Sequence, residues 1–396
     1  MGGLFAGNLL LRAGWQVDIF ERVSGPLSDR GTGIVTHQEL LDALDKAGAT
    51  FDATLGVSIP DRVTYDDRGQ VVAELTYPQL LTAWSCLLQV LESAFPAAHY
   101  HRGKTLASVQ QDNETVTAIF DDGSQARGDL LIGADGIRSV VRAQYLPTAN
   151  PAYAGYVGWR GLVDESDLGP QAHAALAERF AFGLPPNEQI LAYPVAGRNN
   201  TTSPGSRRIN FVWYRPADEN TELRRMQTDA QGQWHSGGIP PHLIRPEILD
   251  EVRTAASAKL SPEFAELVHK APMLFFQPIF DLKSDCMVFG RVALLGDAAF
   301  VARPHSGMGV TKAAQDAMEL TAALTTEGSL DQALARYQTR RGQFGHAIVD
   351  IARDLGASMR SDWPPGHDKE MAERYRNADN VMKETAISPS CLNLPA

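Results

Sequence analysis

Apolar residues recur along this chain in two rhythms. Leu4–Leu11 is an apolar helical stretch that stops at Gly14, and Val17–Phe20 follows as a short strand. From Thr82 to Leu91 the apolar positions return with a period of about 3.6, which predicts a helix with one buried face. Thr115–Phe120 alternates and closes in an Asp-Gly turn at Asp122-Gly123. Asp129–Gly133 reads as a strand, and Val292–Leu295 as a short buried one ended by Gly296. After Val310 the pattern is helical, with Leu320, Leu324, Leu330 and Leu334 at core positions. From Tyr153 to about residue 285, alternating strands are parted by turns rich in Pro, Gly and Asn, Gln189–Tyr193 and Arg208–Tyr214 among them. In the second of these, Ile209, Phe211 and Trp213 share one face, and Asn210, Val212 and Tyr214 share the other. One face is core; the alternation does not choose which lines a pocket.

Strand–helix alternation at both ends, with antiparallel-type strands between, gives an α/β chain carrying an inserted, mainly antiparallel sheet and C-terminal helices. The chain has 396 residues, 44% hydrophobic and 21% charged, enough for a large core. A net charge of −11, with no basic run, argues against a nucleic-acid partner. Cys86, Cys286 and Cys391 lie far apart without metal-type spacing, so no metal is expected and a cytoplasmic setting is. No apolar run approaches the ~20 residues that span a bilayer.

The densest signal is Gly290-Arg-Val-Ala-Leu-Leu-Gly-Asp297, followed by Arg303-Pro304-His305-Ser306-Gly307-Met308-Gly309. Asp297 falls at the carboxyl end of a strand, where open α/β sheets place ligands. The glycines then feed a helix N-terminus, whose N–H groups and dipole suit something flat and electron-rich. This string resembles the second flavin-binding motif of the single-component FAD-dependent aromatic hydroxylases, the para-hydroxybenzoate hydroxylase type. The resemblance implies that Asp297 holds a ribityl hydroxyl. It also implies that Gly307, Met308, Gly309 and Val310 face the pyrimidine edge, with Thr311 standing where the family often has Asn.

The beginning departs from that pattern. Gly2, Gly3 and Leu4 open a helix, and Glu21 follows Gly3 by 18 residues, as the ribose-binding acid of a dinucleotide fold does. Glu21 and its neighbour Arg22 are candidate cofactor residues; a plain strand-end acid is the other reading of Glu21. The strand that should precede the glycines is absent, so about ten residues are expected to be missing from a Rossmann-like FAD-binding domain. A start assigned too far downstream and a shortened protein both account for this. A shortened protein would expose strand edges and hold FAD poorly.

Gly31-Thr32-Gly33 resembles a loop that the family places near the flavin, or is a surface turn. Trp84 stands where relatives carry a cofactor-contacting arginine, and packing is the expectation for it. Asp135, in Gly133-Ala-Asp-Gly-Ile-Arg138-Ser139, matches an internal motif serving FAD and nicotinamide nucleotide. The same residues also make a good helix cap. Arg138 and Arg142 could meet a phosphate.

The strings Tyr153-Ala-Gly-Tyr-Val, Trp159-Arg-Gly, Ala192-Tyr-Pro194, Asn210-Phe with Trp213-Tyr214, and Arg303-Pro-His305 resemble the 2,6-dihydroxypyridine 3-monooxygenase branch. The activity so implied is hydroxylation of an electron-rich aromatic or N-heteroaromatic ring with NADH or NADPH and O2, through a flavin C4a-hydroperoxide. His305 is then the candidate catalytic residue, accepting a proton from a ring hydroxyl, or else a hydrogen-bonded histidine that fixes its loop. A same-fold oxidase or reductase, or a non-catalytic remnant, are the alternatives.

The expected division is 1–75, 104–152 and 286–358 for the FAD-binding domain and 76–103 with 153–285 for the substrate portion. A C-terminal helix and loose tail over 359–396 complete it. The partners expected are a small aromatic substrate and O2, with a homodimer left open.

Overall fold

The structure, a computed structural model, describes residues 1–27, 33–360 and 362–392. Gly31 and Thr32 of the loop noted above lie outside the described residues.

The first third runs α1 (Gly2–Arg12), β1 (Ile19–Glu21), β2 (Gly33–Thr36), α2 (Gln38–Lys46), β3 (Gly56–Tyr65), β4 (Val71–Ala83) and α3 (Trp84–Ala94). Next come β5 (Tyr100–Arg102), β6 (Leu106–Gln111), β7 (Val116–Phe120), β8 (Gln125–Gly128), β9 (Leu131–Gly133) and α4 (Val140–Tyr145). The middle holds β10 (Ala152–Asp164), α5 (Pro170–Leu176), β11 (Arg179–Gly183), β12 (Gln189–Val195), β13 (Arg208–Pro216) and the single turn α6 (Arg224–Met226). Then follow α7 (Pro246–Lys259), α8 (Pro262–Lys270), β14 (Phe275–Asp281), β15 (Val288–Phe289) and β16 (Val292–Leu294). Four helices close the chain: α9 (Gly309–Thr326), α10 (Leu330–Leu355), α11 (His367–Arg374) and α12 (Ala378–Glu384).

An eight-stranded sheet, ordered β14-β10-β13-β12-β11-β3-β4-β2, dominates the molecule. Its pairs are antiparallel except β11 with β3. Residues 33–36, 56–65 and 71–83 therefore pair with the strands of the 153–285 region in one sheet. Its outer face is covered by α7 and α8: Ile209, Phe211 and Trp213 pack there with Ile248, Val252, Phe264 and Val268. The inner face, with Val212 and Tyr214, turns toward α1, α2 and α9. The question left by the alternation of Arg208–Tyr214 is thereby answered: the Ile-Phe-Trp face is core.

Two short parallel pairs make the nucleotide-fold portion, β1 with β5 and β9 with β16. Their carboxyl ends carry features named from sequence, Glu21 as the last residue of β1, Asp135 after β9 and Asp297 after β16. Tyr337 on α10 donates its hydroxyl to the Leu294 carbonyl at 2.8 Å and so pins the end of β16. At Gly2, α1 comes close to the end of β16 and to α9; a Cβ there would sit 2.6 Å from Leu295 Cδ2 and 3.5 Å from the Ala313 Cβ on α9.

The C-terminal tail differs from expectation. Instead of being loose, Thr385, Ala386, Ile387 and Pro389 are buried. Pro/Ser content describes local stiffness and polarity; it carries no information on a distant anchor, which here is Arg62. Among the described residues, no helix is long and apolar enough to cross a membrane, and no group of His, Cys, Asp or Glu could hold a metal ion.

Candidate active site

The ends of β9 and β16, the start of α9 and the inner face of the large sheet enclose a cavity of about 510 Å³. That lies within the ~300–1,000 Å³ usual for cofactor and substrate sites. Backbone approaches it closely at Gly2, Gly33, Gly136, Gly296, Gly307 and Gly309. Gly33 shows why glycine is needed: a Cβ would fall 2.4 Å from the Tyr193 ring. Its N–H donates to Asn210 Oδ1 at 3.1 Å, which seats the strand on the inner face.

The Asp297 end is built by a bracket beneath it. Gly296 takes φ 65°, a left-handed conformation open to glycine, and its N–H donates to the buried Asp316 carboxylate at 3.0 Å. Arg341 holds the other oxygen of Asp316 at 2.6 Å. Asp297 is then half exposed into the cavity, with Lys312 Nζ 3.6 Å away. Lys312 is buried and its Nζ has no hydrogen-bond partner among the described residues. Pro304–Ser306 forms one tight turn, Gly307 takes φ 66°, and α9 starts with no side-chain cap. Gly309 and Val310 line the cavity, so the unsatisfied N–H groups and positive end of α9 face it.

The remaining residues named from sequence fall in three places. Met1 and Gly2 line the cavity at the start of α1, whereas Leu4 is in the core. Gly3 is beside the Ala134 methyl, 3.6 Å from where its own Cβ would be. Glu21 accepts from its own Val23 N–H at 2.9 Å, beside an exposed Arg22. The Asp135 carboxylate caps α4, accepting from Val140 N at 2.7 Å and Val141 N at 3.2 Å. The backbone around it, Ala134, Gly136 and Ile137, does line the cavity. Trp84 also lines it, at the position where packing was expected.

Arg142 does not face a phosphate. Its guanidinium donates to the carbonyls of Ile137, Ala149 and Ala298, because the turn around it needs those carbonyls satisfied. Met308 is buried against Phe344 and Ile348. Thr311 Oγ1 bonds His37 Nδ1 at 3.0 Å, tying α9 to the start of α2. Burial holds the His37 imidazole neutral, its pKa down to about 4.

The inner face supplies polar groups that sequence did not single out as site residues. Strand register aligns Gln277, Gly158, Tyr214 and Gln189 in one row, and Arg160, Val212 and Leu191 in the next. Arg160, Tyr193, Tyr214 and Gln277 line the cavity. Burial raises the Tyr214 phenol to about 12 and pushes Tyr193 up as well, with the Arg160 charge opposing both. The hydroxyls of both tyrosines are thus donors at neutral pH. Alternation in Arg208–Tyr214 and the resemblance carried by Trp213-Tyr214 reached Tyr214 without giving it a role. Arg160, Tyr193 and Gln277 are brought to it by pairing with β10, β12 and β14, which local pattern does not reveal.

His305 departs from the catalytic role expected of it. It lies behind this wall, fully buried, with Nδ1 2.9 Å from Gln189 Oε1 and Nε2 2.9 Å from the Tyr156 hydroxyl. Since Gln189 Oε1 only accepts, the imidazole proton sits on Nδ1 and Nε2 accepts from Tyr156. Burial first, then the Arg303 and Arg160 charges, drives its pKa down to about 3. Its lone pair is taken by Tyr156, leaving no free base at that ring.

Comparison with known proteins agrees with this architecture. Residues 153–281 match the "FAD binding domain-like" family and residues 279–352 the "FAD binding domain" family. The chain is 34% identical to the 2,6-dihydroxypyridine 3-monooxygenase of Paenarthrobacter nicotinovorans, over 93% of this chain and 92% of that one. It is 26% identical to the 6-hydroxynicotinate 3-monooxygenase of Bordetella bronchiseptica, over 93% of both. The solved structure of 2,6-dihydroxypyridine-3-hydroxylase from Arthrobacter nicotinovorans superimposes with a TM-score of 0.85 at 33% identity, covering 92% of each chain. Klebsiella pneumoniae HpxO complexed with FAD and uric acid shares the fold, with a TM-score of 0.75 at 23% identity, over 97% of this chain and 91% of that one.

Proposed function

Because this chain belongs to the FAD-dependent aromatic hydroxylases, we propose that its cavity seats the isoalloxazine against α9 and an acidic, hydroxylated N-heteroaromatic ring against the inner sheet face. The enzyme is a monooxygenase that uses FAD, a reduced nicotinamide nucleotide and O2 on an aromatic or heteroaromatic ring. Bound FAD supplies the activation of dioxygen, a chemistry no side chain here can perform.

The residues present fit that cofactor. Asp297, half exposed beside a buried lysine, is set to accept from a ribityl hydroxyl. Gly309 and Val310, at the uncapped start of α9, suit the carbonyl edge of a flat ring. Gly2 at the cavity, with Gly3 beside it and Glu21 at the end of β1, are in this reading the residues for the nucleotide half. Asp135 acts in this reading through the turn it caps rather than by direct contact.

One observation carries the substrate class: Arg160, Tyr193 and Tyr214 converge on a cavity in which Asp297 is the one carboxylate among the described lining residues. A guanidinium and two phenol donors favour a ring oxygen as its anion, and an ionised ring is the more nucleophilic one. The proton is then lost by holding the anion rather than by transfer to His305. Phe180, Leu191, Val212 and Ile279 supply apolar walls that exclude water. The hydroxypyridine and hydroxynicotinate acted on by the two relatives are rings of this kind. Three free, mutually distant thiols support a cytoplasmic setting.

The test is incubation of the purified protein with FAD, NADH, 2,6-dihydroxypyridine and ¹⁸O-labelled dioxygen. One labelled oxygen atom in the ring product is expected. Oxygen consumption with an unmodified ring, across hydroxypyridines and hydroxynicotinates, would sink this substrate class.

A further inference from the structure

A buried charge ties the C-terminal segment to the cavity wall. Arg62 on β3 is fully buried, yet among the described residues its guanidinium bonds no carboxylate. Nε and one terminal nitrogen donate to Gln79 Oε1 at 2.9 and 2.6 Å. That terminal nitrogen also donates to the Ala386 carbonyl at 3.1 Å, and the second one donates to the carbonyls of Met382 and, at 2.7 Å, Thr385, all in one short stretch. Gln79 Nε2 adds a second donor to Ala386 O at 3.0 Å. These carbonyls belong to the last turn of α12 and the residues just after it, which the helix itself leaves unpaired. Arg62 thus caps α12 from inside the large sheet.

The capped stretch is part of the cavity. Thr385 and Ala386 line it. Ala386 takes φ 50°, a left-handed value unusual for alanine, and its N–H donates to His305 O at 2.9 Å. The Ala386 methyl lies 2.8 Å from where a Gly307 Cβ would be, so the stretch rests directly on the glycine turn before α9. Further out, Ser388 Oγ donates to the Glu39 carboxylate at 2.7 Å.

A carboxylate partner would satisfy Arg62 wherever the tail went. Carbonyl partners do so only while the tail is in place, and a desolvated guanidinium without them is costly. We propose that Arg62 is a positioning residue for the hydroxylation. By capping α12 it holds Thr385 and Ala386 against the Gly307 turn, so that the C-terminal segment walls the ring and flavin from water. The inference rests on the function proposed above.

The experiment compares full-length Arg62→Met and Arg62→Lys holoenzymes with the parent, using 2,6-dihydroxypyridine as the ring probe. In Arg62→Met the KM for the probe and the Kd for FAD, titrated into apoprotein, are each expected to rise tenfold or more. At least half of the NADH oxidised should go to hydrogen peroxide (NADH, a proton and O2 giving NAD⁺ and H2O2) instead of hydroxylated ring and water. Trypsin should cut after Lys383 under conditions that spare the parent. Arg62→Lys keeps the charge but not the planar fork, and is expected to fall between.

KM, Kd and coupling all within twofold of the parent in Arg62→Met overturn the proposal, whether or not Lys383 becomes cleavable. If that variant does not fold, Glu39→Ala/Ser388→Ala, which frees the outer end of the segment, is read in the same way. A threefold rise in KM is then expected, and unchanged values overturn the proposal. A parent protein that binds FAD but never hydroxylates the probe or its analogues would instead sink the function beneath it.

Discussion

The Tyr214 ring packs over the His305 imidazole at a centroid separation of 4.3 Å and an angle of 49°. His305 is in turn held by Tyr156 and Gln189, so a buried Tyr–His–Gln row backs the phenol that faces the cavity. This row gives His305 a part in placing Tyr214 rather than in taking a proton from substrate. In Tyr214→Phe the ring still packs but the donor is gone. A loss of roughly 10- to 150-fold in kcat/KM is expected, from the ~1.5–3 kcal/mol of a hydrogen bond to a bound oxyanion. His305→Asn should lower kcat/KM without removing an ionisation from its pH profile. Loss of a limb near pH 6–7 in that variant would restore His305 as a base.

The two buried histidines make stability depend on pH in a stated direction. Both imidazoles have pKa values lowered by burial, His37 to about 4 and His305 to about 3. Between those values and the unfolded pKa of ~6.5, the unfolded chain binds more protons than the folded one, so stability falls as pH falls. Each histidine contributes up to ~1.4 kcal/mol per pH unit across that window and nothing above it. Urea unfolding at pH 7.5 and pH 5.0 checks this. A flat profile over that range would contradict the buried, neutral assignment, and His305→Asn should reduce the slope.

In the function proposed above, cofactor retention turns on Asp297. A charge-assisted hydrogen bond of ~1.5–3 kcal/mol corresponds to roughly a 10- to 150-fold change in affinity. Asp297→Ala is therefore expected to raise the FAD Kd by that factor, and it also leaves the Lys312 ammonium without its neighbouring carboxylate. Flavin content after purification and fluorescence titration of the apoprotein measure it; unchanged retention would refute the assignment. Asp297→Ala/Lys312→Met should recover thermal stability without recovering FAD affinity.

These sites were unequally legible in the sequence. Asp297 through Gly309 is one continuous strand–turn–helix, and its glycines are demanded by local backbone geometry, so sequence order alone displays it. The partners of His305 are 116 and 149 residues away, and the spacing around Arg303-Pro304-His305 says nothing of them. The tail reads as loose because its anchor, Arg62, lies 323 residues from Thr385. The inner face of β13 is apolar at Val212 and the outer face is more so, a difference that becomes a choice of pocket only once α7 and α8 cover one side.

That choice separates folding from function between the two faces of the large sheet. Trp213 is fully buried in the outer core, and its indole N–H has no hydrogen-bond partner among the described residues. Trp213→Ala should cost about 3–5 kcal/mol of stability through the cavity it leaves, while KM in the protein that remains folded changes little. Trp213→Phe removes the unsatisfied N–H along with part of the ring and should cost well under half of that. Arg160→Met is the opposite case. It faces the cavity and should raise the KM for 2,6-dihydroxypyridine by roughly 10- to 150-fold through loss of a charged hydrogen bond. It should also abolish the preference for the ionised ring, so that KM no longer falls as pH rises through the substrate's own pKa. Unfolding curves and pH-dependent KM for the three variants decide it. A Trp213→Ala protein with impaired binding and intact stability would reverse the assignment of the two faces.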